Sequence, residues 1–214
     1  MGLCVSTGAL AWLNENDAEG AEWTRESLAK VNEVLAEKGL PPHVEPEQLP
    51  AMKDRAGVLG YPYSFLHHLR RVYARVLNNP NWTPTPVSEG EDPASDSAVE
   101  EKLFEMSSHL LCHSDAEGFY LPIDFNDIII DDKNQERING GLLGSSHRLM
   151  EELIVVAPKL GVKLDGSDLL DAEAERIKKE SESEEGLWIE KTVWLSLFEA
   201  ARLSIQHKTA ICFS

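Results

Sequence analysis

Residues 111–125 read LCHSDAEGFYLPIDF, and within them His113, Asp115 and Glu117 fall at alternate positions. An imidazole beside two carboxylates is a donor set for a divalent cation or an acid–base pair, and Asp124 or His147 could complete it. The enzymatic reading is therefore a metal-dependent hydrolase with His113, Asp115 and Glu117 as its catalytic residues and Asp124 as a further ligand. Alternate residues share a face only where the backbone is extended. No HExxH pair supports that reading, and DFNDIIIDDKNQE does not have the spacing of a calcium loop. A structural reading accounts for the same residues. Val99, Leu103, Met106 and Leu110 recur at helical steps, and His113 is next on that stripe, so it should point inward. Ser114 and Asp115 suit a turn, and Gly118 suits a positive φ. The segment is read as a turn first and a site second.

Other motifs carry less. GGLLGSS precedes a helix, but it lacks the Gly-Lys-Ser/Thr of a phosphate loop, so Ser145 or Ser146 is read as a helix cap. MGLCVS has the N-myristoylation form, with Cys4 as a second acyl position. One such chain binds membranes marginally, and Glu15, Asp17, Glu19 and Glu22 would repel an acidic leaflet, so no stable membrane association is expected. Cys4, Cys112 and Cys212 form no CxxC pair, which points to a reducing, cytoplasmic setting. No cofactor is expected.

These residues must be positioned by an α+β fold, mainly helical, with about five helices around a small sheet. Apolar periodicity predicts helices over 17–38, 63–79, 97–112, from about 146 to the stop at Gly161, and 187–206, with a shorter one at 168–180. Short apolar strands are expected at 3–7, 119–123 and 209–214, with a further strand or buried turn at 127–130, so both terminal segments would enter the sheet. A single domain over 1–214 is expected, with a mobile acidic loop at 80–97, PNWTPTPVSEGEDPASDS. The basic stripe of His68, Arg71 and Arg75 on the second helix should face Glu89, Glu91 and Asp92 of that loop; an external anion site on Arg71 and Arg75 is the lesser alternative.

The net charge is −17, from 37 acidic against 20 basic side chains. A field of that sign repels phosphate backbones and favours cationic partners. The expected partner is another protein with a basic surface, bound through Glu89, Glu91 and Asp92, with no nucleic acid involved.

The blocks HSDAEGFYLPIDF, GGLLGSSHRLMEEL and WLSLFEAARLSIQHKTAI resemble those of an uncharacterised bacterial family of cytosolic proteins, and GLPPHVEP and YPYSFLHHLRR extend the resemblance forward. That resemblance implies a bacterial, cytosolic, one-domain protein and no catalytic activity. In composition the chain is also similar in style to immunity proteins, which neutralise a toxin by binding it. An acidic binding module of immunity or inhibitor type is the resulting expectation.

Overall fold

The computed structural model describes residues 2–58, 60–131 and 135–214. Met1 of the MGLCVS motif and the middle of DFNDIIIDDKNQE lie outside them.

Alternation of apolar residues builds the sheet. Leu3 and Val5 of β1 (Leu3–Thr7) face one side. β2 (Gly60–Tyr61) pairs with one edge of β1 and β8 (Ile211–Phe213) with the other, both antiparallel. β8 also pairs antiparallel with β3 (Gly118–Leu121), which lies parallel to β5 (Leu142–Ser145), and β4 (Ile129–Ile130) closes the far edge. The order is β2-β1-β8-β3-β5-β4. A separate hairpin joins β6 (Leu164–Asp165) to β7 (Asp168–Leu169).

Successive side chains of a strand point to opposite faces, so a strand buried on both sides feeds two cores. In β3, Tyr120 joins one core while Phe119 and Leu121 join the other. The larger core lies under α3 (Tyr63–Asn78), α6 (Ser146–Val156) and α8 (Trp188–His207). The smaller lies under α2 (Ala18–Glu37), which contributes Leu28, Val31, Val34 and Leu35. α8 is buried on most of its surface, with Val193, Trp194, Leu197, Phe198 and Ala201 in the core and Glu190 and Glu199 buried beside them.

Among the described residues there are eight α-helices rather than about five. The helix expected at 17–38 is α2, with Asp17 as its cap accepting from Gly20 N–H at 3.1 Å. The same Asp17 ends α1 (Ala9–Asn16), a helix that the periodicity did not separate from the preceding strand. The helix expected at 97–112 is two pieces, α4 (Ser97–Leu103) and α5 (His109–Cys112). Met106 adopts a φ of 49° between them, and the Ser108 hydroxyl caps the second piece by accepting from Leu111 N–H at 3.0 Å. α7 (Asp171–Ser181) packs on α8. No described helix is long and apolar enough to cross a membrane.

Both terminal strands sit inside the sheet, β8 between β1 and β3. Ile211 and Phe213 are buried there, and fully burying such side chains contributes roughly 1.5–3 kcal/mol each. Removing residues 209–214 should therefore abolish the cooperative urea transition; an unchanged midpoint would refute the central placement of β8.

Candidate functional site

His113 is buried, as its place on the apolar stripe implied, but in extended backbone just beyond α5. Its ring stacks on Tyr120 at 4.0 Å and meets Phe213 edge-on at 5.0 Å. Nδ1 lies 2.9 Å from the Ser114 carbonyl and Nε2 3.1 Å from that of Phe119. Burial pushes the imidazole down to about 4. A neutral ring has one N–H, so it donates to one of these carbonyls and only abuts the other.

The other members of the expected metal set point elsewhere. Asp115 pairs with His67 at 3.0 Å, Asp124 with Arg148 at 2.9 Å, and Glu117 is exposed. His147 lies half-buried on α6. Among the described residues no group of three His, Cys, Asp or Glu side chains is arranged to hold a metal ion. The convergence expected of His113, Asp115, Glu117 and Asp124 is therefore corrected: a kinked turn separates them. Gly118 holds that turn, with a φ of 119° and a built Cβ that would lie 2.7 Å from the Asn139 carbonyl. This φ lies beyond the left-handed helical region that Asn tolerates. Gly118→Asn and Gly118→Ala should thus both destabilise the fold, by roughly 2–4 kcal/mol in urea denaturation. An Asn variant as stable as the parent would contradict this geometry.

Beside this turn lies Arg70, a buried cation. Its Nε donates to the Leu110 carbonyl at 2.8 Å and its terminal nitrogen to that of His113, closing the end of α5. Opposite it, Glu152 of α6 accepts from His109 N–H at 3.0 Å and Leu110 N–H at 2.6 Å at the start of α5. Burial outweighs these bonds and pushes the Glu152 carboxyl up to about 7. The folded state then holds a proton between pH 4.5 and 7 that the unfolded chain releases, so this group favours folding as pH falls. Glu152→Gln should accordingly lose more stability than the parent between pH 7 and 4.5, by up to ~3 kcal/mol. Parallel pH–stability curves for the two would remove the buried carboxyl from the account.

The basic stripe of α3 is also redirected. Arg71 and Arg75 do not face Glu89, Glu91 and Asp92; their Nε atoms lie 3.1 and 2.7 Å from one Asp96 oxygen. Both guanidiniums also lie over the Trp82 ring, at 5.6 and 5.3 Å. With Asp96 paired to both, the anion-site alternative loses its unpaired cations. Asp92 accepts from Ala94 N–H and the Ser95 hydroxyl, while Glu89 and Glu91 remain exposed.

This redirection is general. All nine arginines bond to the chain's own acceptors. Arg55 and Arg202 share the buried Glu199. Arg137 holds Asp131 and Glu37, and Arg148 holds Asp124 and Glu151. Arg176 binds Glu173 and Glu180, and Arg25 binds Glu47 and Glu22. Carboxylates line the exterior, some of them partners of these arginines: Glu22 of Arg25, and Glu33 and Glu37 of Arg137. On α2, Glu19, Glu22, Glu26, Glu33 and Glu37 follow at steps of three, four, seven and four, a single exposed line opposite the buried face. At 1.5 Å per residue the line is roughly 27 Å long. Further exposed carboxylates stand at Glu100, Glu101, Glu182, Glu184 and Glu185.

The arginines are engaged within the chain, and much of the exposed surface is acidic. The profile of one protein family, described as "Putative DNA-mimic protein", matches residues 1–213. The chain belongs to this family. No curated protein and no solved structure matches it. Membership makes the chain an acidic protein-binding module, and it corrects the expected partnership. Nucleic acid was excluded because an acidic field repels phosphates, yet the family takes DNA as its template. The field that repels DNA is the field DNA itself carries, so the partners the family description implies are DNA-binding proteins.

Proposed function

We propose that this protein occupies the DNA-binding face of a DNA-binding protein and inhibits it by displacing the duplex. The observation that carries the reading, beside the family match, is the commitment of all nine arginines to internal acceptors, which leaves the exposed glutamates to set the outer field. Magnitudes say that one helix is insufficient. The α2 line offers one carboxylate about every 7 Å of axis, half the linear density of a single DNA strand at about 3.4 Å per charge. Additional carboxylates are needed, and we take Glu89 and Glu91 of the 80–97 loop as part of the same docking surface. Asp92, spent on capping, contributes charge rather than a free oxygen. The immunity-like or inhibitor character expected from composition is retained in this narrower form, with the chain acting as one domain. Three free cysteines suit a reducing cytoplasm for that role.

The test is competition. Proteins retained on the immobilised chain at low salt should be released by duplex DNA at concentrations where an equal charge of polyglutamate releases few, and the released proteins should bind DNA. Their association should slow roughly tenfold or more as salt rises, because such charges chiefly set the on-rate. Partners that do not bind DNA, or that duplex DNA fails to displace, would overturn the proposal.

A further inference from the structure

Tryptophan, carboxylate and arginine are paired in satisfied form at one place among the described residues. Arg71 and Arg75 lie over the Trp82 ring while Asp96 accepts from both. Trp82 supplies an aromatic face, which attracts a guanidinium, and Asp96 supplies the charge-assisted hydrogen bonds.

The outer face of α2 carries the same residue set without its arginine. Trp23 is 53% exposed, although burying a tryptophan is among the largest apolar gains open to a chain. Glu19 is four residues before it and Glu26 three after, so both are its neighbours on the helix surface. Neither carboxylate has a cation within ion-pair distance among the described residues. Lys30, one turn beyond Glu26, makes no ion pair with it. Arg25 turns away to Glu47, Glu22 and Asn14. On its other side Trp23 walls a cleft of about 270 Å³ with Gly118, Phe119 and Phe213, so the ring stands at the rim of a recess rather than on a flat helix.

We propose that Trp23, Glu19 and Glu26 form a receiving site for one arginine of the partner's DNA-binding face. The guanidinium stacks on the indole and donates to the flanking carboxylates, as Arg71 and Arg75 do at Trp82 and Asp96. This rests on the DNA-mimic reading and adds a specific anchor to it: arginine pairs bidentately with guanine in the commonest direct contact to DNA bases, and its planar fork stacks on an aromatic face better than a lysine ammonium does. The site distinguishes arginine from lysine, which a diffuse acidic field does not.

The experiment uses peptides of equal length and charge, one of arginines and one of lysines, titrated against the whole protein at fixed salt. The arginine peptide should bind about five- to tenfold tighter. Trp23→Phe should keep most of that preference and Trp23→Leu should abolish it. Glu19→Gln with Glu26→Gln should weaken both peptides. Circular dichroism and urea midpoints of the variants confirm folding, and the Phe and Leu variants bracket the role should either be less stable. Equal binding of the two peptides, or a preference that survives Trp23→Leu, would overturn the site. The proposed function would survive that result, since it fails only if duplex DNA does not displace the natural partners.

Discussion

A chain carrying 17 net negative charges must fold against its own repulsion, and that constraint orders much of what is seen. Each arginine is drawn to an acceptor in the same chain, so the positive charge holds elements together. Arg55 ties the 50–58 segment to α8 through Glu199, and Arg137 joins Asp131 to Glu37 of α2. Arg71 and Arg75 fasten Asp96, at the start of α4, to α3. Such bridges contribute little individually where they are exposed and more where both partners are buried, but removing one partner of a buried set leaves a charge with nothing to answer it. Arg70 is the extreme case. Among the described residues it has no ion-pair partner, and it donates to the carbonyls of Leu110 and His113 around the end of α5.

The same economy explains the exterior. Once the cations are committed inward, the remaining carboxylates have water as their main neighbour, and repulsion spreads them along helices and loops. The α2 line is the clearest product: an amphipathic helix whose apolar side packs on the sheet and whose polar side is mostly glutamate. An acidic surface of this kind therefore needs no separate scaffold. It is what remains once the arginines are paired within the chain.

Sequence periodicity made much of this legible. The helices at 63–79 and 187–206 and the strands at 3–7 and around 119–123 were marked by spacing, because each buries a regular face; the latter strand is observed at Gly118–Leu121. Ser145 was legible as a cap, and its hydroxyl accepts from Arg148 N–H at 3.4 Å. What failed depended on contacts distant in sequence. Nothing local tells that Arg71 meets Asp96 rather than Glu89, or that residues 104–108 interrupt a helix whose apolar stripe continues unbroken across them. His43 is an anchor that no local pattern marks. Asn32 bonds its backbone at both ends, and its ring meets Glu45 at 2.5 Å, while Glu45 accepts from Ala210 N–H at 2.7 Å. The glutamate line of α2 was visible as spacing alone, yet His113, Asp115 and Glu117 were the more familiar pattern. Familiar chemistry drew attention away from an arrangement whose chemistry is only charge.

The position of β8 has a consequence for how the chain is made. β1 and β3 flank it, and the backbone of Gly8 donates to the Thr209 hydroxyl across 201 residues of sequence. During vectorial synthesis both flanking strands leave the ribosome with an open edge that only residues 211–213 can fill. Contacts of such long range form slowly, and unpaired edges invite wrong partners while they wait. A strongly acidic nascent chain repels its copies on neighbouring ribosomes during that interval. The net charge thus opposes association of incomplete chains during the interval in which their sheet edges are open.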